Sequence, residues 1–204
     1  MWQFLKDGGP VMLLLVPTSI IGLAFIIERG LALRWKKIIP PEVEKALDLC
    51  RSKEDLGMLH GICEQQPSAL SRLLLVAVEH LSWPKGENAD AIQTRARHEI
   101  AQMERGIVVL EIVVGIATLL GLVGTINGLI SLFSGLSRTG LGDNAIVAHG
   151  ISIALNTTLS GLLIAIPALI AWSYYNKKVE TLAIEMETLC DGFLRRFYLH
   201  DEKE

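Results

Sequence analysis

Three long apolar runs interrupt an otherwise polar chain and set its architecture. They cover roughly Val11–Leu33, Ile107–Phe133 and Ile146–Tyr174, and each meets the requirement of about 20 residues for a membrane-crossing helix. Between the first and second runs the apolar positions recur at helical spacing. Val43, Ala46, Leu47 and Cys50 mark one helix over Glu42–Ser52, and Leu70, Leu73, Leu74, Ala77, Val78 and Leu81 mark another over Ser68–Leu81. Trp83-Pro84-Lys85-Gly86 reads as a turn, since Pro and Gly punctuate helices. From Asn88 a polar helix leads into the second run without a breaker. After the third run, Val179, Leu182, Ile184, Met186, Leu189 and Phe193 extend the helical pattern through Lys177–Leu199. Pro40-Pro41 ends or breaks the first helix, while Pro17 and Pro167 sit inside spans and predict bends there. The pattern predicts an all-α, three-span protein whose long helices extend into a polar helical bundle.

Charge orients the spans. Segment 34–105 holds eleven Lys and Arg against eleven Asp and Glu, with Arg34, Lys36 and Lys37 directly after the first run. Between the second and third runs stand only Arg138 and Asp143, and Lys177 and Lys178 follow the third. The positive-inside rule therefore puts 34–105 and the C-terminal end in the cytoplasm. The start, MWQFLKDGG, has one Lys beside one Asp, the reverse of a secretory signal's bias. The first run is expected to be a retained helix with its N-terminus outside.

The organisation expected is thus 1–10 as an external N-terminal segment, 11–33 as the first span and 34–105 as a cytoplasmic helical region. Then come 106–133 as the second span, 134–145 as an external loop, 146–174 as the third span and 175–204 as a cytoplasmic helix. A chain that is 50% apolar, with a mean hydropathy of +0.41, would bury three such helices poorly as a soluble globule. The net charge of −3 and the lack of a basic cluster with interleaved aromatics give no sign of nucleic-acid binding.

Two threonines stand out. Thr125 lies nine residues before the connector that begins near Ser134, and Thr158 lies nine residues after the connector ends near His149. At about 1.5 Å per residue, a helical hairpin carries both hydroxyls to one depth, roughly 13 Å in. Small residues surround them: Gly121, Gly124 and Gly128 on the second span, Ala154, Gly161 and Ala165 on the third. Small-xxx-small spacing lets helix backbones approach closely in lipid. The pair reads either as a polar lining for an ion or a partner's carboxylate, or as part of a packing seam.

Asn127 and Asn156 are also level with each other, but about 200° around their helices from the threonines. An unsatisfied amide in lipid is costly, so they are expected to bond to each other or to Thr18 and Ser19 of the first span. Glu28-Arg29, at the end of that span, reads as an interfacial ion pair.

Enzyme signatures are missing from the sequence: it has no Walker motif, HExxH or GxSxG. Cys50, Cys63 and Cys190 show no metal spacing, and reduced, unpaired thiols are expected. His60 with Cys63 is isolated. No carboxylate lies at the centre of any span, although a proton carrier normally needs an ionisable group at depth. If this chain conducts protons, a second chain must supply the acid.

The stretches LLGLVGTINGLISLF (Leu119–Phe133), ALNTTLSGLLIAIPALIAWSYYN (Ala154–Asn176) and TSIIGLAFIIERGLAL (Thr18–Leu33) resemble the MotA/TolQ/ExbB family of proton-channel subunits, in its TolQ/ExbB branch. The resemblance implies a bacterial inner-membrane pentamer around a dimer of a one-span, ExbD/TolR-like partner. That partner's membrane aspartate would carry the proton, and Thr125 and Thr158 match the family threonines that face it. It also implies coupling to a TonB- or TolA-like protein, no cofactor beyond the transported H+ or Na+, and no chemical reaction. Where many relatives have Glu before the Ala-Leu of the third span, this chain has Ile153, which leaves H+ against Na+ open. A gliding or surface-polymer motor of the same family, a structural membrane scaffold and a self-contained small-solute channel are the competing readings.

Overall fold

The computed structural model describes residues 10–139 and 144–201, all of whose regular structure is helical. The chain divides into two compact units. The apolar unit holds α1 (Met12–Ala32) as far as Arg29, α7 (Ile107–Thr139) and α8 (Asn144–Asp201) as far as Tyr174. The polar unit holds α2 (Trp35–Ile38), α3 (Pro41–Leu49), α4 (Leu56–Gln65), α5 (Ala69–Glu79) and α6 (Lys85–Glu104), plus α8 from Tyr175 onward. Among the described residues, three helices are long and apolar enough to cross a membrane. Most of the external segment predicted at 1–10 and the centre of the predicted loop at 134–145 lie outside the described residues.

Two expectations about helix ends need correction. Helix does not stop with the second apolar run at Phe133: α7 runs on to Thr139, and α8 begins at Asn144, before Ile146. Ser134–Thr139 contains no proline, and an isolated glycine such as Gly135 is tolerated within a helix. Nor does the polar helix enter the second span unbroken. A turn at Arg105–Gly106 separates α6 from α7. At Gly106 the Arg29 side chain packs on the backbone, its Cζ 2.6 Å from where a Cβ would stand. Arg29 meanwhile forms a bidentate ion pair with Glu28.

In the apolar unit α1 packs on α7 through Gly22 against Val113. A small cluster of Val11, Met12, Leu15, Ala117 and Ala165 joins all three helices. Most other large side chains on these helices are exposed, including Leu13, Leu23, Ile112, Leu119, Leu163 and Ile170. Such faces suit lipid or other helices and would be costly in water.

The polar unit has a conventional core. Pro41 opens α3 and Ser68 caps α5, its Oγ accepting from the Ser71 N–H at 3.1 Å; a cap of this kind contributes about 1 kcal/mol. Val43, Leu47, Leu59, Leu70, Leu74, Leu182 and Phe193 are fully buried, at roughly 1.5–3 kcal/mol each. The three cysteines are free and buried within it. Burial pushes the Cys63 thiol up to about 11 and the Cys190 thiol up to about 12, so both stay protonated and unreactive.

One carboxylate is buried there as well. Glu99, 1% exposed, accepts bidentate bonds from Arg72 at 2.7 and 2.5 Å and pairs with Arg95 at 2.9 Å. Burial alone would raise its pKa, but the Arg72 hydrogen bond, with the charges of Arg72, Arg95 and His98, outweighs burial and holds it below the ordinary value. The folded pKa is depressed, so the clamp stabilises above the unfolded carboxylate range and is lost as pH falls through the folded value. Glu99→Gln should cost about 1.5 kcal/mol at neutral pH by removing charge-assisted bonds from two arginines that are each about a third exposed and partly screened by water. Thermal unfolding of the detergent-solubilised protein checks this: the gap between variant and parent should close toward pH 3, and a gap unchanged by pH would refute the clamp.

Candidate functional site

The site is the seam between α7 and the first part of α8. Antiparallel packing brings their small residues into register. A Cβ on Gly121 would stand 3.3 Å from Thr158 Cα, one on Gly128 would stand 2.7 Å from Ala154 N, and one on Gly161 would stand 2.6 Å from Ala117 O. Gly124 meets the Thr157 side chain, and Ala165 joins the cluster with Ala117. The small residues singled out in the sequence are therefore the places where backbone meets backbone or side chain directly.

On this seam Thr125 and Thr158 hydrogen-bond to each other. The pairing follows from symmetry. Thr125 lies fourteen residues before the end of α7, and Thr158 lies fourteen residues after the start of α8. Both helices outgrew their predicted ends, but the midpoint between the two threonines did not move. Two backbone carbonyls complete the arrangement. Gly121 O lies 3.2 Å from Thr125 Oγ1 and 3.3 Å from Thr158 Oγ1, while Ala154 O lies 3.5 and 3.1 Å from them.

A hydroxyl has one proton and two lone pairs. In this pair one proton bridges the two oxygens and the other goes to a carbonyl. What remains for a visitor is lone pairs alone. As bonded here the site presents lone pairs, so it accepts from a proton-bearing group or coordinates a cation, and it donates to a carboxylate only after a hydroxyl turns away from its present partner. The hydroxyls open on a groove of about 470 Å³, otherwise walled by Leu119, Leu122, Leu155, Leu162 and Ala154, with Thr118 at one end. In such surroundings an ion or a proton-bearing group finds few other polar partners.

The remaining polar residues chosen from sequence sit elsewhere. Thr18 Oγ1 donates to Leu14 O at 2.8 Å on its own helix. Asn156 Nδ2 donates to Ser152 Oγ at 3.4 Å, also on its own helix. Ser19 is exposed and Asn127 half-buried, and among the described residues neither side chain has a partner across helices. The expected asparagine–asparagine or asparagine–Thr18/Ser19 bonds are replaced by these local ones, because a short polar side chain in a helix reaches its own preceding turn first. Ile153, half-buried, lies one turn before Thr157, and its carbonyl accepts from the Thr157 hydroxyl at 2.9 Å.

Sequence reasoning passed over Thr118 and Thr157. Thr157 is fully buried and fills the space above Gly124, its hydroxyl spent on Ile153 O and Ala154 O. Its role is packing. Thr118 lies seven residues before Thr125, which puts it on the same helix face. That spacing was available in the sequence.

Residues 65–188, more than half the chain, match the sequence model of the MotA/TolQ/ExbB proton channel family. A Synechocystis protein named as biopolymer transport protein ExbB-like 1 is 38% identical over 176 residues, covering 83% of this chain and 68% of that protein. An ExbB homolog of Methanothermobacter thermautotrophicus is 28% identical, covering 87% of this chain and 63% of its own length. The Tol-Pal system protein TolQ of Pseudomonas aeruginosa is 28% identical over 95% of this chain and 90% of its own.

Proposed function

The chain belongs to the MotA/TolQ/ExbB proton channel family, is a multi-pass membrane protein of the TolQ/ExbB branch, and from that premise we propose that it forms the wall of an ion-driven energy transducer in the bacterial inner membrane. In this reading several copies, five by family resemblance, surround two copies of a one-span partner of ExbD/TolR type. The partner's span presents an aspartate to the Thr125–Thr158 pair. The work done on the partner reaches a TonB- or TolA-like protein, for energised outer-membrane transport or envelope maintenance.

The observation that carries the reading is the hydroxyl pair, wired to accept, in an apolar groove with no acid of its own. Protonated, the partner's aspartate donates to the pair. Ionised, it is met by a donor only if a hydroxyl first gives up its present bond, so it is held less well and turns toward water or a counter-charge. A site that binds one protonation state and releases the other couples proton passage to movement. The absence of a carboxylate at Ile153 leaves the partner's acid to carry the proton through this part of the wall. On the family resemblance the ion is H+ rather than Na+.

Purification of the tagged chain from native membranes in mild detergent should bring down a single-span protein with an aspartate in its span. Liposomes holding the chain alone should pass protons no faster than empty ones, and liposomes holding both proteins should pass them faster. Conduction by the chain alone would make it a self-contained channel instead, and recovery of no such partner would overturn the proposal.

A further inference from the structure

Thr118 shares the groove of the Thr125–Thr158 pair, and it does so as the third side-chain hydroxyl on that wall. It stands seven residues before Thr125 on α7, about 10.5 Å along the axis at 1.5 Å per residue, and about 20° away around it. Its Oγ1 donates to Val114 O at 2.9 Å. With that proton committed to its own helix, the oxygen faces the groove with lone pairs only. Three hydroxyls on one face of one groove therefore share one polarity as bonded here: each presents lone pairs to the groove.

A threonine bonded back to its own helix is satisfied and can serve packing alone. Thr118 serves packing poorly, since its residue is exposed on the groove side and it is not part of the buried cluster around its neighbour Ala117. Thr157 makes the contrast. That threonine is fully buried against Gly124, so burial separates the threonine that packs from the one that lines.

We infer that Thr118 is a relay position on the ion path, the next acceptor after the Thr125–Thr158 pair in the direction of Ile107. This rests on the proposed function and deepens it. A proton leaving the partner's acid crosses the gap as a hydrated proton, and about 10.5 Å leaves room for a short file of water between the two acceptors, since water molecules in a hydrogen-bonded chain lie about 2.8 Å apart. Thr118 holds the inner end of that file through its lone pairs, in a stretch otherwise walled by Leu119, Leu122 and Leu162. No bond other than O–H changes hands. The proton enters the file at one oxygen and leaves it at the other.

The test uses right-side-out membrane vesicles carrying the full chain with its co-purifying partner, and proton entry is read with a pH-sensitive dye trapped inside. Thr118→Val keeps shape and removes the oxygen. It should slow proton entry about tenfold, the weight of one lost hydrogen bond to a charged group, while the complex elutes at its normal size. Thr118→Ser should restore entry to within about twofold. Thr158→Val, measured alongside, keeps this inference separate from the reading beneath it. Loss with Thr158→Val but parental entry with Thr118→Val overturns the relay and leaves the proposed function standing. Parental entry with both overturns the proposed function. Slowing by Thr118→Val that serine fails to rescue assigns the residue to packing and also overturns the relay.

Discussion

Replacing Thr158 with valine should stop ion-driven work almost completely while leaving the protein folded and assembled. Valine matches threonine in shape, so the contact of Gly121 with the Thr158 backbone survives. What disappears is one oxygen that both bridges to Thr125 and reaches Gly121 O and Ala154 O. Thr125 then donates its proton to a carbonyl on its own helix or across the seam. The visiting group loses half of its acceptor pair and meets a methyl group in an apolar groove. A hydrogen bond to a charged or charge-developing group contributes about 1.5–3 kcal/mol, so flux should fall by a factor of roughly ten to a hundred. Thermal stability should change by less than about 1 kcal/mol, because the carbonyls keep their main-chain helix bonds. Proton flux in the reconstituted complex, with size-exclusion elution as the check on assembly, decides the matter. An assembled Thr158→Val complex with parental flux would reduce the threonines to packing and favour the scaffold reading.

Replacing Gly128 with valine should instead destroy the seam. A Cβ there would lie 2.7 Å from Ala154 N and 2.9 Å from Gly150 O. Both are backbone atoms, so no side chain can swing aside and α7 and α8 must separate. Two lipid-facing helices gain little hydrophobic energy by meeting, and their association depends on close dispersion contact and short hydrogen bonds. Separation removes both, and with them the Thr125–Thr158 bond one turn away. Overpacking of this kind costs about 3 kcal/mol, enough to show as a lower thermal midpoint and reduced abundance in membranes. Gly115→Ala is the control: nothing lies within 4 Å of a Cβ at that position, and the change should be neutral or stabilising by about 0.5 kcal/mol. Equal behaviour of the two variants would mean that the close approach at Gly128 is not what holds the hairpin.

These two variants divide the seam into a part that holds and a part that acts. Thr157 belongs to the first part, with Gly124, Gly128 and Gly161. Thr125 belongs to the second, and Thr158 to both, since its hydroxyl lines the groove and its Cα stands against Gly121. Their neighbours in sequence, Asn127 and Asn156, belong to neither, because they lie on another face of the same helices.

Sequence alone determined the three spans, the polar helical stretch between the first two, and the common depth of Thr125 and Thr158. Each of these is set by short-range periodicity or by symmetry about a turn, and an antiparallel hairpin keeps its midpoint wherever its helices end. The seam of Gly121, Gly124, Gly128, Ala154 and Gly161 was legible for the same reason, as spacing of three and four on one helix is a local property. Tertiary structure decided what spacing leaves degenerate. Segment 34–105 offers eleven acidic residues and eleven basic ones, and only the packing of α5 on α6 selects Glu99 for burial between Arg72 and Arg95. Likewise Asn88 is fully buried, donating to Ala77 O and to the Tyr198 hydroxyl 110 residues away. Thr118 and Thr157 are both threonines in apolar helices, and it took the neighbouring helix to show one opening on a groove and the other closed over Gly124. The physical reason is that burial and partner choice depend on which surfaces meet, and that is fixed by contacts distant in the chain.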